Sequence, residues 1–223
     1  MEQKILDRWE AQFAQYLQVH ADNSDGAHDL GHFRRVWRTA SGLLQEHEEA
    51  DPLIVLAAAY FHDIISLPKN HPEAHQSSRL SAEKAGDMLK HDFPDFPMES
   101  IDAVKHAIQA HSYSAGISPV TIEAKILQDA DRMEALGAIG IARTFYTAGR
   151  LGTNMFSAED PQALHRELND KLYALDHFRV KLLKLPSLMN TAAGQALALR
   201  RTIILQEFME QMIEEIGELP LRS

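Results

Sequence analysis

A histidine and an aspartate stand side by side in VLAAAYFHDII, residues 55–65, where most other residues are apolar. We predict a helix over 52–65 that is apolar on nearly every side, which is typical of a helix in the centre of a protein. An unpaired carboxylate is very unfavourable there, so Asp63 must be paired, neutralised or bound to a metal. A divalent cation accepts both the imidazole nitrogen of His62 and a carboxylate oxygen. The alternative is a buried polar pair that hydrogen-bonds to neighbouring helices.

Other histidines and aspartates occur in mostly apolar segments far away in the sequence. His32 lies early in a predicted helix, Asp129 and Asp131 stand in QDADR between apolar residues, and HAIQAH contains His106 and His111. Side chains of this kind, converging from separate helices, form the metal sites of helical bundles. Asp129 and Asp131 point to nearly opposite sides of a helix, and helical phase alone leaves open which of them faces such a site.

Hydrophobic residues recur at helical spacing along nearly the whole chain. No convincing strand, internal repeat or low-complexity tract interrupts this pattern. We therefore predict an all-α fold, a single-domain bundle of about eight to ten helices over residues 1–223. The predicted helices cover 2–20, 30–48, 52–65, 79–91, 98–111, 121–136, 137–150, 162–184 and 188–217. The last of them is long enough either to pair with a second copy or to pack on its own core.

The composition excludes several classes of protein. The chain has 223 residues and no cysteine, which excludes disulfides, thiolate zinc fingers and iron–sulfur clusters and leads us to expect a cytoplasmic protein. Its first residues, MEQKILDRWEAQF, lack the apolar core of a signal peptide, and no apolar run reaches the roughly 18 residues of a membrane span. The net charge of −10 disfavours a nucleic-acid polymer as a partner.

In their order along the chain, His32, the pair His62-Asp63, and Asp131 resemble the H…HD…D signature of the HD-domain metal-dependent phosphohydrolases. The flanking segments HDLGHFRRV, AAYFHDI and AKILQDADRMEALGAIGIAR are similar to the three ligand-bearing helices of that family. The family pattern of Ala-Asp-Arg followed by an apolar residue selects Asp131 over Asp129. The resemblance implies an all-helical fold with a divalent metal ion held by His32, His62, Asp63 and Asp131.

The resemblance looks closest to the small single-domain bacterial branch of the family. It covers about residues 20–150, and the C-terminal helices, about 162–217, are expected to complete the bundle. Two imidazoles and two carboxylates suit Mn²⁺ or Mg²⁺ best, with Co, Ni, Fe and Zn as alternatives. Such an ion activates a water for attack on phosphorus, and Asp63 is the expected catalytic residue that positions or deprotonates this water. The expected substrate is a small phosphorylated molecule, with nucleotides among the candidates.

A phosphate also needs cationic partners on this acidic chain. Arg35 lies one helical turn after His32, Lys69 follows the His-Asp pair, and Arg132 follows Asp131, so these three are predicted to bind substrate. His106 and His111 are predicted to contact the phosphate or to bind a second ion. The alternative for each lysine and arginine is a solvated surface position. For the two histidines, the alternative is a purely structural role at the end of a helix.

Two other functions fit the same residues. Some relatives of this fold are di-iron oxygenases, which require a second metal ion that His106 and His111 could bind. A non-catalytic helical module that senses a nucleotide or binds a partner is the third interpretation. Oxygen consumption without phosphate release would favour the oxygenase, and tight nucleotide binding without turnover would favour the module.

Overall fold

A computed structural model describes residues 2–20, 29–67, 71–112 and 115–217. These residues form nine α-helices and contain no β-strand, which confirms the all-α fold. Short 3-10 helices at Ala74–Gln76, Met98–Ser100, Met133–Ala135 and Leu182–Leu188 join some of them. The α-helices are α1 (Glu2–His20), α2 (Leu30–Leu44), α3 (Pro52–Phe61), α4 (Ser77–His91), α5 (Ile101–His111), α6 (Ile122–Arg132), α7 (Gly137–Leu151), α8 (Ala174–Val180) and α9 (Ala192–Gly217).

The chain divides into two compact units, Met1–Asp131 and Arg132–Ser223. The organisation of residues 1–223 as one HD-type domain stays a prediction. Among the described residues, no helix is both long and apolar enough to cross a membrane.

The first unit is built around α3, whose residues from Ile54 to Phe61 are all buried. The side chain of Asp51 caps the start of this helix by accepting a hydrogen bond from the Leu53 backbone N–H, and Pro52 occupies the first turn. Helices α1, α2 and α5 pack against α3. The apolar circumference seen in the sequence is therefore explained by burial on all sides. The helix ends at Phe61, four residues earlier than predicted.

The second unit contains α7, α8, α9 and the 3-10 segment Leu182–Leu188 around its own apolar core. The helix predicted over 162–184 is wrong in its first half, because only Ala174–Val180 is α-helical in that range. Asp160 accepts hydrogen bonds from two backbone N–H groups, and Arg166 makes two hydrogen bonds to the buried carboxylate of Asp176. These side-chain interactions replace the helical backbone bonds of this segment.

Candidate metal centre

Five histidine and aspartate side chains from four helices of the first unit converge at one place. α2 contributes one, the end of α3 contributes an adjacent pair, the last residue of α5 contributes one, and α6 contributes one. They form two groups in which the donor atoms all lie within 4.8 Å of one another, and both groups contain the same histidine of α3. The groups are His32, His62 and Asp63, and His62, His111 and Asp131.

The separations between donor atoms are short and similar. His32 Nε2 lies 3.1 Å from His62 Nε2, 3.9 Å from Asp63 Oδ2 and 3.8 Å from Asp131 Oδ1. His62 Nε2 lies 3.4 Å from Asp63 Oδ2 and 3.7 Å from Asp131 Oδ1. The other oxygen of Asp63, Oδ1, lies 3.4 Å from His111 Nε2. The two oxygens of this carboxylate therefore face different histidines.

Local structure places these side chains. Asp29 caps α2 by accepting a hydrogen bond of 2.8 Å from the backbone N–H of His32, so this histidine lies in the first turn of α2, and it is fully buried. His62 is the C-cap of α3 and is also fully buried. Asp63 is the first residue beyond that cap, and 15% of its side chain is exposed. The pair thus combines a buried nitrogen with a carboxylate that solvent can reach.

Two histidine rings are oriented by backbone carbonyls of their own helices. His62 Nδ1 lies 3.0 Å from the Ala59 carbonyl oxygen, and His111 Nδ1 lies 2.6 Å from the Ile108 carbonyl oxygen. A carbonyl only accepts, so Nδ1 carries the proton and donates in both rings. Each ring then directs Nε2 at the cluster, which is the arrangement that orients histidine ligands in metal sites.

The cluster requires a positive charge. Burial alone would lower the pKa of His62, but the negative charges of Asp63 and Asp131 outweigh burial and raise it to about 9. Burial would likewise raise the pKa of Asp131, but the positive charge of protonated His62, 3.7 Å away, holds that pKa well below its usual range. A proton on His62 balances part of the negative charge at neutral pH. A divalent cation could take its place.

The distances suit a small divalent ion with six ligands. For metal–ligand bonds of about 2.1 Å, neighbouring ligand atoms lie about 3.0 Å apart and opposite ones about 4.2 Å apart. Five of the separations among the nitrogens of His32 and His62 and the oxygens of Asp63 and Asp131 range from 3.1 to 3.9 Å, between these two values. Two nitrogens and two oxygens without sulfur are donors that Mn²⁺, Mg²⁺ and related ions accept. In donor type and in these five separations, the residues therefore fit the ion that the sequence predicts.

The structure separates the two aspartates of α6 and the two histidines of α5. Asp131 belongs to the cluster, whereas Asp129 is fully buried and is not a member of either group. His111 is within the cluster and next to Asp63. His106 is not a member of either group, and its Nε2 accepts a hydrogen bond of 3.2 Å from the Val120 backbone N–H.

The predicted cationic residues lie in different surroundings. Arg35 is half-buried. Its guanidinium and the carboxylate of Asp29 lie on either side of Gly31, where a Cβ would be 3.3 Å from Arg35 Nη1 and 3.1 Å from Asp29 Oδ1. Arg132 donates a hydrogen bond to the Leu188 carbonyl oxygen within the second unit. Lys69 lies outside the described residues. Of these three, Arg35 lies in α2 about one helical turn after His32.

Sequence reasoning gave no role to two buried polar residues beside the cluster. Gln128 Nε2 donates a hydrogen bond of 2.6 Å to the carbonyl oxygen of Ala110, the residue before His111. The hydroxyl of Ser81 bonds to the backbone just after the His-Asp pair. The residue type of a buried polar side chain does not identify its partner, so neither contact could be predicted from the sequence.

Comparison with known proteins agrees with these observations. The model of the HD domain family matches residues 29–136. The uncharacterized protein YpgQ of Bacillus subtilis (strain 168) is 34% identical over 202 residues, which are 89% of this chain and 88% of YpgQ. The crystal structure of YpgQ in complex with ADP has 31% identity and a TM-score of 0.73, and the match covers 95% of this chain and 97% of that one. An HD-superfamily hydrolase structure from Bacillus thuringiensis has 32% identity and a TM-score of 0.69, with 98% and 100% covered.

Proposed function

Because the chain belongs to the HD-domain family and has the fold of HD-superfamily hydrolases, we propose that it is a metal-dependent phosphohydrolase. The bond cleaved is a phosphoester or pyrophosphate bond of a small phosphorylated substrate. The observation that supports this proposal is the convergence of His32, His62, Asp63 and Asp131, in which each histidine Nε2 lies within 3.9 Å of an oxygen of each carboxylate. When bound, such an ion supplies an activated water and withdraws charge from a phosphoryl oxygen.

The protein's own residues have separate roles in this proposal. His32 and His62 are fully buried and hold the ion away from bulk solvent with neutral nitrogens. Asp63 is partly exposed, and its Oδ1 lies 3.4 Å from His111 while Oδ2 faces His32 and His62. One oxygen can therefore contribute to the ion while the other accepts a proton from the attacking water. His111 lies beside that second oxygen and is the residue that we expect to contact the phosphate or a second ion.

The substrate we propose is a nucleotide. YpgQ, which resembles this chain over nearly its whole length, was crystallised with ADP. A polyphosphate needs positive charge that a chain of net charge −10 must concentrate locally. Arg35, Lys69 and Arg132 remain the proposed cations, and Arg35 lies one helical turn from His32. Mn²⁺ and Mg²⁺ are the proposed ions, because the site combines imidazole nitrogen with carboxylate oxygen.

One observation favours the oxygenase as a second candidate. Asp63 directs Oδ2 at His62 and Oδ1 at His111, each 3.4 Å away, as a carboxylate that bridges two neighbouring ions would. A di-iron oxygenase needs such a pair. The two candidates differ in their products, because only the hydrolase releases phosphate and only the oxygenase consumes oxygen.

The test begins with metal analysis of the purified protein. The protein is then incubated with a panel of nucleotides and sugar phosphates in the presence of Mg²⁺, Mn²⁺, Co²⁺ or Ni²⁺, and released phosphate and pyrophosphate are measured. We expect turnover that a chelator abolishes and that His62→Ala and Asp63→Ala both lose while helicity by circular dichroism is retained. Oxygen uptake with bound iron and no phosphate release would instead support the oxygenase. Nucleotide binding without turnover on any metal would contradict both and point to the non-catalytic module.

A further inference from the structure

Two serines of α4 hold the backbone segment that follows the His-Asp pair. The hydroxyl of Ser81 accepts a hydrogen bond of 3.1 Å from the Ile65 backbone N–H and donates one of 3.0 Å to the Ile65 carbonyl oxygen. The hydroxyl of Ser77 accepts a bond of 3.2 Å from the Leu67 backbone N–H. Residues four apart share one face of a helix, so both hydroxyls face this segment.

The contact by Ser81 is unusual because one hydroxyl satisfies both backbone groups of a single residue. Ser81 is fully buried in α4, and Ile65 lies only two residues after Asp63. On the other side of Asp63, the end of α3 is fixed, since the Ile64 backbone N–H bonds to the Phe61 carbonyl oxygen at 3.3 Å. The backbone of Asp63 therefore lies between two anchored points, and Ser81 is the anchor outside α3.

This anchoring has a consequence for the cluster. Asp63 directs Oδ2 at His62, 3.4 Å away, and Oδ1 at His111, also 3.4 Å away. Keeping both contacts requires a fixed position for the aspartate backbone, because the side chain has only two rotatable bonds. Asp63 is not inside a helix, so the regular backbone bonds of α3 do not provide that position. A loss of the Ser81 contacts would allow the turn to move and the carboxylate with it.

We propose that Ser81 is a positioning residue that acts through Asp63 and sets the affinity of the metal centre. This inference rests on the proposed function, since it assumes that the cluster binds a divalent ion. Groups that orient metal ligands from outside typically change metal affinity by about 10- to 100-fold when removed. Ser81 acts on the backbone of the ligand rather than on its carboxylate, so we expect an effect at the lower end of that range.

The same helix offers a matched control. Ser78 is as deeply buried as Ser81, with 2% of its surface exposed, and lies three residues earlier in α4. Within the described part of the chain its hydroxyl has no hydrogen-bond partner. Ser78→Ala and Ser81→Ala therefore remove the same atom from the same helix, and only the second removes bonds to the segment after Asp63.

The experiment measures Mn²⁺ binding to the full chain by titration calorimetry and by the loss of the free Mn²⁺ electron paramagnetic resonance signal. We expect Ser81→Ala to bind Mn²⁺ about tenfold more weakly than wild type, Ser78→Ala to match wild type, and Ser81→Thr, which keeps the hydroxyl, to recover most of the affinity. In turnover, Ser81→Ala should lower kcat more than it changes KM. Circular dichroism and thermal unfolding are recorded for every variant.

The outcomes distinguish this inference from the function on which it rests. If wild type binds none of Mn²⁺, Mg²⁺, Co²⁺ and Ni²⁺, the metal-dependent function is wrong and the role of Ser81 with it. If wild type binds and Ser81→Ala binds equally well, with only a lower melting temperature, Ser81 is merely structural and this inference alone is overturned. An equal loss of affinity in Ser81→Thr or in Ser78→Ala would also overturn it. Should Ser81→Ala not fold, Ser81→Cys, which fills the space with a weak hydrogen-bond donor, replaces it under the same criteria.

Discussion

Replacing Asp131 with asparagine tests the proposed ligand set most directly. The side chain keeps its shape and one oxygen but loses its negative charge. In the structure, Asp131 Oδ1 lies 3.7 Å from His62 Nε2 and 3.8 Å from His32 Nε2, so the charge acts where the ion would be held. Asp129→Asn is the matched control, because Asp129 lies on the same helix, is fully buried, and is not a member of either donor group.

The size of the effect follows from the observed distance. A negative charge 3.7 Å from a unit positive charge contributes about 4.5 kcal/mol at an effective dielectric constant of about 20. A quarter of the Asp131 side chain is exposed, and solvent screening reduces this value to about 2–3 kcal/mol. At about 1.4 kcal/mol for each factor of ten, Asp131→Asn should weaken divalent-metal binding by roughly 30- to 150-fold. Asp129→Asn should change it by no more than about threefold.

The assay is calorimetric titration of each purified variant with Mn²⁺ at constant pH and ionic strength. Circular dichroism checks that both variants remain helical, because Asp129 is buried and its replacement can lower the melting temperature without touching the cluster. The reverse order, with metal binding lost in Asp129→Asn and kept in Asp131→Asn, would refute the assignment of α6. Equal binding by wild type and Asp131→Asn would refute the electrostatic reasoning as well.

Three further predictions follow from contacts in the two units. The pKa of His62, about 9, keeps this ring protonated at neutral pH, so Mn²⁺ must displace a proton. The apparent affinity for Mn²⁺ should therefore rise about tenfold per pH unit between about pH 6.5 and 8.5, and calorimetry in buffers of different ionisation enthalpy should show close to one proton released per ion. An affinity that does not change with pH would contradict this prediction. Burial would raise the pKa of Asp176, but Arg166 outweighs it and holds that pKa below its usual value. The stability contributed by Asp176 is therefore present at neutral pH and lost as the pH falls below about 4. In urea unfolding, Asp176→Asn should be less stable than wild type at neutral pH, and the two proteins should become equally stable in acid. A difference in stability that stays constant with pH would be evidence against this prediction. Gln128→Leu should lower the free energy of unfolding by about 1–3 kcal/mol, because the buried carbonyl before His111 loses its partner; equal urea midpoints would show that another group satisfies that carbonyl.

The sequence alone predicted the helical class and the chemical identity of the candidate site. Helical periodicity is a local property, so α1 and α7 were predicted almost to the residue. The unusual position of His62 and Asp63 was also evident, because a polar pair in an apolar helix is visible without knowledge of its neighbours. The order of His32, the pair and Asp131 then suggested the family to which the chain belongs.

Tertiary interactions decided where local patterns were misleading. The segment before α8 has helical composition, yet the carboxylates of Asp160 and Asp176 bind backbone and guanidinium groups several residues away and replace the helical bonds. These alternatives have similar local energies, so the choice depends on which side chains the surrounding fold buries. The early end of α3 has the same kind of cause, because Ser81 of a later helix binds the backbone of Ile65.

Only the packed structure decided which atoms meet at the cluster. Both α5 histidines were predicted near the site, but His111 contacts Asp63 whereas His106 binds the backbone of Val120. Helical phase alone left Asp129 and Asp131 equivalent, although the family pattern favoured the second. The side of α6 that faces His62 depends on how helices far apart in sequence rotate and pack against α3. That rotation results from many weak apolar contacts acting together, which local sequence patterns do not reveal. The residue types that could bind an ion, in contrast, are read directly from individual positions of the sequence.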